Sequence, residues 1–287
     1  MPTPFRGAAL HARAAARVLR RGGPLRARIG RLDDRLVFVL GSPRSGTTFL
    51  ADSLGALPGF VDLGEVPPLK AALPELAALP DAKAARRIRR ILTATRVLGL
   101  AGGRRAVEQT PEAAFVTRAA ALAFPEACFV HIVRDGRDVV CSLLERGWLS
   151  AGRRGEDDAG LGYGAEARFW VEPDRRAEFA RASDARRAAW AWRRYVTAAR
   201  DAPTDRLAEV RYETLIADPA RVAAELAAFV GAPPEPLAAG LGRAHAESIG
   251  RFRSDLTREQ LADVEDEAGP LLGELGYAAG GVSARPS

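Results

Sequence analysis

Cysteine and histidine are scarce in this chain. Of its 287 residues, only two are cysteine and three are histidine. Cys128 lies in a predicted strand and Cys141 in a predicted helix, so the sequence offers neither a disulfide framework nor a metal-ligand spacing. We therefore predict that no metal is bound and expect a reducing, cytoplasmic compartment.

Long apolar runs are also missing. No run approaches the roughly 20 residues that are needed to span a bilayer, so we predict no integral membrane segment. Residues 1–35 carry eight arginines before Asp33 and only short apolar stretches, which fits neither a secretory signal nor a membrane anchor. This start predicts a basic N-terminal helix or a loose arm. At the other end, we expect residues 278–287 to form a flexible tail.

The charge of the chain is strongly positive. A net charge of +6 and a sequence pI near 10.0 favour anionic ligands of any kind. The arginines, however, are scattered through Ala-rich helical segments such as 83–96 and 184–200, and they do not form a recognisable DNA-reading motif. We predict no nucleic-acid binding and expect a local positive pocket for a small anion.

Apolar residues make up 47% of the chain and fall into alternating strand and helix patterns. The predicted strands cover residues 36–40, 60–63, 106–110, 128–133 and 207–212. This alternation predicts one α/β domain over residues 36–277, with a central, mainly parallel sheet flanked by helices in three layers. Residues 147–180 are the least regular part, and we interpret them as a lid or substrate loop, with disorder as the alternative.

The segment after the first strand has the pattern of a phosphate-binding loop. Residues 41–48 read Gly-Ser-Pro-Arg-Ser-Gly-Thr-Thr, and a helix is predicted from Thr47. In such a loop, backbone N–H groups and the positive end of the helix converge on an anion. The nucleotide P-loop requires Lys where Thr47 stands, whereas the cation here, Arg44, lies three residues earlier. This departure disfavours a kinase or ATPase and favours a nucleotide with a short 5′ tail.

Pro-Arg-Ser-Gly-Thr-Thr resembles the 5′-phosphosulfate loop of sulfotransferases that use 3′-phosphoadenosine 5′-phosphosulfate (PAPS). A second motif agrees, because Arg134 follows the strand at 128–133 and Ser142 lies eight residues later in the next helix. In that family, an Arg and a Ser with this spacing bind the 3′-phosphate of the donor, and the two groups can converge on one tetrahedral anion. The alternatives are an ordinary βα turn and a solvated helix start with Asp135 or Asp138 as its cap.

The resemblance implies a P-loop-like fold, PAPS as donor and 3′,5′-adenosine bisphosphate (PAP) as product. The implied donor-binding residues are Arg44, Ser45, Gly46, Thr47, Thr48, Arg134, Ser142, Tyr212, Ser248 and Arg251. Arg44 is also the implied cation on the leaving group. Many relatives carry Arg-Lys-Gly in the late loop where this chain has residues 248–253, so Ser248 and Arg251 can equally belong to a surface loop. Tyr212 can equally be a strand-terminal residue packed beneath a helix.

The resemblance also points to Glu65 as the catalytic base. Glu65 follows Gly64 at the far end of the second predicted strand. Protein-tyrosine and glycosaminoglycan sulfotransferases, the branch closest in motif style, carry a catalytic Glu at this place. A carboxylate can accept a hydroxyl proton near neutral pH if its pKa is moderately raised. The alternative is that Glu65 caps the following helix.

Other candidates for the base are Glu108 and the histidines. Residues 107–111 read Val-Glu-Gln-Thr-Pro and resemble the Glu-Lys-Thr-Pro stretch of many relatives, with Gln in place of Lys. Cytosolic sulfotransferases of small phenols and alcohols use His, but His11, His131 and His245 do not occupy the expected position. His131 lies inside an apolar strand and is interpreted as structural.

These patterns predict a PAPS-dependent sulfotransferase that resembles bacterial members of the family. Its partners would be the nucleotide donor and a hydroxyl-bearing acceptor, which is a small molecule, a glycan or a natural product. The positive charge of the chain argues against a basic peptide as acceptor. Two alternatives stay open, a P-loop nucleotide or small-molecule kinase and a non-catalytic nucleotide-binding protein, and the sequence does not indicate an oligomeric state.

Overall fold

The computed structural model describes residues 4–21, 32–166, 168–244 and 246–277. They form two compact units. The described residues of the first unit lie between positions 4 and 133, 156 and 161, and 195 and 246, and those of the second lie between 134 and 155, 162 and 194, and 247 and 277. The predicted tail at 278–287 and His245 lie outside the described residues.

A five-stranded parallel sheet runs through the first unit. Its strands are β1 (Val37–Leu40), β2 (Phe60–Gly64), β3 (Arg105–Glu108), β4 (Cys128–Val133) and β5 (Leu207–Arg211). They lie in the order β2-β3-β1-β4-β5, and every neighbouring pair is parallel, which confirms the predicted sheet. Strands β2 and β3 lie on one side of β1, and β4 and β5 lie on the other, so the strand order reverses at β1. The carboxyl end of β1 is therefore the switch point at which sheets of this kind bind ligands.

Helices connect the strands of the first unit and build most of the second. In the first unit they are α1 (Pro4–Arg21), α2 (Thr47–Gly55), α3 (Pro67–Leu76), α4 (Asp81–Leu98), α5 (Thr117–Ala123), α9 (Tyr212–Ala217), α10 (Pro219–Val230) and α11 (Pro234–Leu241). In the second they are α6 (Gly136–Arg146), α7 (Arg176–Arg181), α12 (Phe252–Asp255) and α13 (Arg258–Glu274). Helix α8 (Asp184–Ala199) contributes residues to both units. None of the described helices combines the length and apolar character required to cross a membrane.

Burial explains why these segments form a layered unit. All residues of β1 and β4 are buried, as expected for central parallel strands that are covered on both faces. On one face, Val39, Val130 and Ile132 pack in the core with residues of α2, α10 and α11. On the other, the rings of Phe38 and Phe129 stack with their centroids 5.3 Å apart. The predicted three-layer architecture is therefore confirmed.

Some element boundaries differ from the predictions. Residues 4–21 form a helix, which is one of the two alternatives predicted for the N-terminal segment, whereas residues 32–36 are not helical. The predicted helix over 112–123 is broken into a 3₁₀ helix, Pro111–Val116, and α5, because Val116 has the non-helical torsions φ −134° and ψ 25°. The predicted strand 207–212 ends one residue early, and its last residue instead begins α9.

Aromatic and ionic contacts hold the second unit together. The rings of Trp170 and Trp190 pack edge-on against Phe179, with centroids 5.7 and 5.5 Å from it. The buried Glu267 of α13 accepts hydrogen bonds from Arg193 and Arg175, at 2.7 and 3.1 Å. The predicted irregularity of the 147–180 segment holds for its first part, since the described residues from 148 to 172 contain no helix.

Candidate active site

The loop between β1 and α2 is built around two glycines. A Cβ added at Gly41 would lie 2.6 Å from the carbonyl oxygen of Ile132, so the close packing of the backbone excludes a side chain there. Gly46 has a left-handed φ of +97°, and a Cβ on it would lie 3.0 Å from the ring of Tyr212. The structure therefore brings two predicted donor-binding residues, Gly46 and Tyr212, into contact.

The amino end of α2 offers hydrogen-bond donors to an anion. No described side chain caps this helix, whose N-cap residue is glycine. Ser45 is fully buried, and its hydroxyl has no hydrogen-bond partner among the described residues. Thr48 is exposed, with Oγ1 3.5 Å from Oε1 of Gln109. Arg44 is exposed and has a φ of +72°, which is uncommon for a residue with a side chain. Uncapped N–H groups, hydroxyls and a cation are the requirements of a phosphate site.

In the second unit, Arg134 contacts the late loop. Its guanidinium donates a hydrogen bond to the carbonyl oxygen of Ser248. Its own carbonyl oxygen accepts a hydrogen bond from Nε1 of Trp192 at 3.1 Å. Ser142 is buried two turns into α6. The structure thus brings Arg134 and Ser248 together and places Ser142 on the helix that follows Arg134 in the chain.

Asp138 holds the late loop on α6, a role that the sequence did not indicate. Its fully buried carboxylate accepts the N–H groups of Gly250 at 2.7 Å and Phe252 at 3.1 Å. Burial raises the pKa of Asp138, although these two bonds act in the opposite direction. The cap of α6 is Asp135, which accepts the N–H of Arg137 at 3.0 Å, as one of the sequence interpretations had it.

Arg251 is engaged by acidic neighbours. It forms an ion pair with Glu145, and its Nε lies 2.6 Å from Oδ2 of Asp255. These two carboxylates raise the pKa of Arg251. Because its charge is compensated within the protein, the geometry favours the surface-loop interpretation, and its role as a donor ligand stays a prediction.

Glu65 lies directly after β2 and is paired with a lysine. Nζ of Lys70 is 2.6 Å from Oε2 of Glu65 and 3.3 Å from Oδ2 of Asp157. Burial raises the pKa of Glu65 above its usual value, although Lys70 lowers it. Burial alone would lower the pKa of Lys70, but the carboxylates of Glu112 and Glu65 raise it, so the ammonium stays charged. The Glu65 side chain remains 36% exposed, so an acceptor can reach it.

The sequence analysis missed Lys70, although one signal was available. Only two of the 42 basic residues in the chain are lysines. Arginine and lysine differ in geometry and in hydration, so a lysine is unusual in such an arginine-rich chain. Its position, five residues after Glu65, makes Lys70 a candidate partner of the base.

Glu108 sits in a different environment. Its carboxyl group is fully buried, and burial raises its pKa to about 8. Oε1 accepts hydrogen bonds from the Thr110 hydroxyl and, at 2.9 Å, from the Thr110 N–H, whereas Oε2 has no partner among the described residues. The raised pKa favours the protonated form of Glu108, and its buried carboxyl group is inaccessible to an acceptor, so the geometry favours Glu65 as the base.

Two of the three histidines, His131 and His11, are among the described residues. His131 is fully buried in β4, with Nδ1 3.1 Å from Oε2 of Glu209. Burial lowers the pKa of His131, which keeps the ring neutral. His11 lies in α1. These positions agree with the structural interpretation of His131.

Comparison with known proteins assigns the family. The profile described as "Sulfotransferase family" matches residues 37–236. The chain belongs to the sulfotransferase family. No curated protein matches this sulfotransferase.

Two solved structures share its fold. A sulfotransferase domain from the curacin biosynthetic pathway has a TM-score of 0.53 and 18% identity, with 87% of this chain and 99% of that one covered. A sulfotransferase from Mycobacterium avium has a TM-score of 0.53 and 17% identity, with 96% of this chain and 87% of that one covered. The family makes this protein an enzyme of sulfuryl transfer, which replaces the kinase and the non-catalytic alternatives.

Proposed function

We propose that this sulfotransferase takes its sulfuryl group from PAPS and transfers it to a hydroxyl of a small molecule, glycan or natural product. The observation that carries the proposal is the loop over residues 41–46. It combines an uncapped helix amino end, the buried hydroxyl of Ser45 and the exposed Arg44, without the lysine of a nucleotide P-loop. Backbone N–H groups and a nearby cation suit a phosphate that carries a sulfuryl group.

Each unit carries its own set of proposed donor-binding residues. In the first, the N–H groups of residues 46–48 and the hydroxyls of Ser45, Thr47 and Thr48 would bind the 5′-phosphate, and Tyr212, which packs against Gly46, would contact the adenine region. In the second, the hydroxyls of Ser142 and Ser248 and the guanidinium of Arg134 would bind the 3′-phosphate. Arg251 is a weaker member of this set, since Glu145 and Asp255 already compensate its charge.

The reaction requires a base for the acceptor and a cation for the leaving group. The donor, when bound, supplies the sulfuryl group. The bond between sulfur and the bridging oxygen of the 5′-phosphate breaks, and PAP is the leaving group. Glu65 would accept the proton of the acceptor hydroxyl, a contribution of roughly 10²–10⁴ in rate. Lys70 orients the Glu65 carboxylate through its 2.6 Å contact. Arg44 would stabilise the charge that develops on the bridging oxygen.

Calorimetric titration with PAP, beside ATP with Mg²⁺, tests the donor. We expect micromolar binding of PAP and no comparable binding of ATP. Arg134→Ala should weaken PAP binding roughly tenfold or more, because a charge-assisted hydrogen bond is lost. Arg146→Ala, a substitution at the exposed end of α6, the helix that follows Arg134, is the matched control and should bind PAP like the wild type. Tight ATP binding without a response to PAP would refute the proposal.

A panel of phenols, primary alcohols and sugars tests the acceptor class. Each compound is incubated with PAPS, and the release of PAP and the gain of one SO₃ unit by the compound are measured together. Release of PAP with a matching gain of SO₃ supports transfer to a hydroxyl. Transfer to amines in place of hydroxyls would refute the proposed acceptor class.

A further inference from the structure

Helix α1 reaches the candidate base although it lies outside the region that matches the family, which begins at residue 37. One stripe of the helix is buried and consists of Leu10, Ala14, Ala15 and Val18. Val18 packs at the end of α4, where a Cβ on Gly99 would lie only 2.6 Å from Cγ1 of Val18. Helix α1 is thus a fixed part of the first unit.

Two arginines, one turn apart on α1, hold the end of β2. Nη1 of Arg17 donates a hydrogen bond to the backbone carbonyl oxygen of Glu65 at 2.7 Å. Arg21 forms an ion pair with the buried carboxylate of Asp62, whose Oδ1 accepts the N–H of Gly64 at 2.7 Å. Positions i and i+4 share one face of a helix, so Arg17 and Arg21 face the same way. They bind Glu65 and Asp62, which lie on either side of Gly64.

Gly64 makes the contact with Arg17 possible. Its φ is +65°, and the register between β2 and β3 shifts between Asp62 and Gly64. Such an irregularity changes the direction of the residue that follows, which here is Glu65. A Cβ on Gly64 would lie 2.8 Å from Nη1 of Arg17. The missing side chain therefore permits the bend and leaves room for the guanidinium.

Three hydrogen bonds hold Glu65 and the peptide group that follows it. Arg17 binds its carbonyl oxygen, and Lys70 binds its carboxylate. The next N–H along the chain, that of Val66, donates to the hydroxyl of Thr110 at 3.1 Å. Lys70 and Thr110 belong to the region that matches the family, whereas Arg17 does not. Placement matters for a base, since an error of about 1 Å can cost roughly 10²-fold in rate.

We propose that helix α1, through Arg17, positions Glu65 for proton abstraction and is a working part of the active site. This inference rests on the proposed function in one respect, the role of Glu65 as the base. Arg17 contacts the main chain of Glu65 and not a reacting group, so it is a positioning residue. Its loss should lower kcat and leave the binding of the donor unchanged.

The test compares Arg17→Ala with Arg17→Lys and with the control Arg20→Ala. Arg20 lies on the same helix, is exposed, and bonds through Nε to the carbonyl oxygen of Ala16 in its own helix. Hydrogen exchange of a peptide over residues 60–66 reports on how firmly α1 holds this segment, and the measurement needs no acceptor substrate. Exchange should accelerate in Arg17→Ala and remain at the wild-type rate in Arg20→Ala. Equal exchange in the wild type and Arg17→Ala would overturn the proposal.

Turnover of PAPS, with the acceptor found in the panel, separates positioning from general stabilisation. In Arg17→Ala, kcat should fall about tenfold, while KM for PAPS and the Kd of PAP stay within about twofold of wild type. Arg17→Lys, which can still donate one hydrogen bond, should recover part of the loss. If Arg17→Ala weakens PAP binding as much as it slows turnover, the positioning role is refuted.

A double variant links the effect to Glu65. If Arg17 acts through Glu65, Arg17→Ala should cause no further loss in a Glu65→Gln background, and additive losses would overturn the proposal. Failure of the proposed function gives a different result. In that case Glu65→Gln itself turns over at the wild-type rate, whereas failure of the α1 proposal alone leaves Glu65→Gln slow and Arg17→Ala fast.

Discussion

At the scale of single residues, Glu65 has the accessibility and the partner that a base requires. Glu65→Gln keeps the shape of the side chain and an oxygen for Lys70 but cannot accept a proton. We expect kcat to fall by about 10²–10⁴, measured as the initial rate of PAP release with a saturating acceptor. The Kd of PAP should stay within about twofold of the wild type. Glu75→Gln, on the exposed side of α3, is the matched control, and an equal loss of rate in both variants would contradict the assignment.

Glu108 predicts a pH dependence of stability. Its pKa rises from a usual value near 4.5 to about 8 on folding, because the carboxyl group is buried. Between these two values the folded state holds a proton that the unfolded state has released. Stability should therefore fall as the pH rises through this window, by at most about 1.4 kcal/mol per pH unit. Glu108→Gln cannot ionise and should remove this decline.

The measurement is urea unfolding of the wild type and Glu108→Gln at three pH values across the window. As the pH rises, the urea concentration at the midpoint should fall in the wild type relative to that of Glu108→Gln. Parallel midpoints at all three values would show that Glu108 titrates normally in the folded protein.

At the scale of elements, the close packing of α2 against β2 depends on Gly55. A Cβ on Gly55, the last residue of α2, would lie 2.4 Å from Cβ and 2.6 Å from the backbone nitrogen of Asp62. Gly55→Ala should therefore destabilise the protein by about 1–3 kcal/mol, since the backbone must move to relieve the overlap. Urea unfolding measures this loss, and it bears on function because α2 carries the phosphate loop at its other end.

Gly273 of α13 provides the control. A Cβ there would meet nothing within 4 Å, and the residue is exposed in a helix. Gly273→Ala should stabilise the protein by about 0.5–1 kcal/mol, because alanine loses less backbone freedom on folding. Shifts of the same sign in the two variants would show that helix propensity, and not the contact with β2, decides the outcome at Gly55.

At the scale of the whole molecule, much of the positive charge is compensated locally. Arg87 pairs with Glu75 at 2.6 Å, and Arg221 pairs with Glu225 at 2.7 Å. We therefore expect no binding of a labelled DNA duplex below about 10 μM protein at roughly physiological salt, measured by fluorescence anisotropy. PAP should bind in the same buffer. Saturation of the duplex signal at low micromolar protein would contradict this expectation.

The sequence predicted the strands of the sheet and the local motifs because each of them is a continuous segment with its own residue pattern. The apolar run of β1 and the loop behind it form one uninterrupted segment, and the structure has the strand and the helix where the pattern placed them. It did not predict α11, since Pro234 and Pro236 obscure the helical pattern. Nor did it predict the hydrogen bond from Arg17 to Glu65. These residues are 48 positions apart, and no local periodicity indicates such a contact.

The order of strands in the sheet also sets the order in which the protein can assemble during synthesis. Val37 of β1 pairs with Val107 and Cys128, which belong to strands made much later. At about 5–20 residues per second, a ribosome needs several seconds to supply the first of these partners. The phosphate loop is thus encoded early but completed late, and the nascent chain carries an unpaired apolar strand that a chaperone can bind in the meantime.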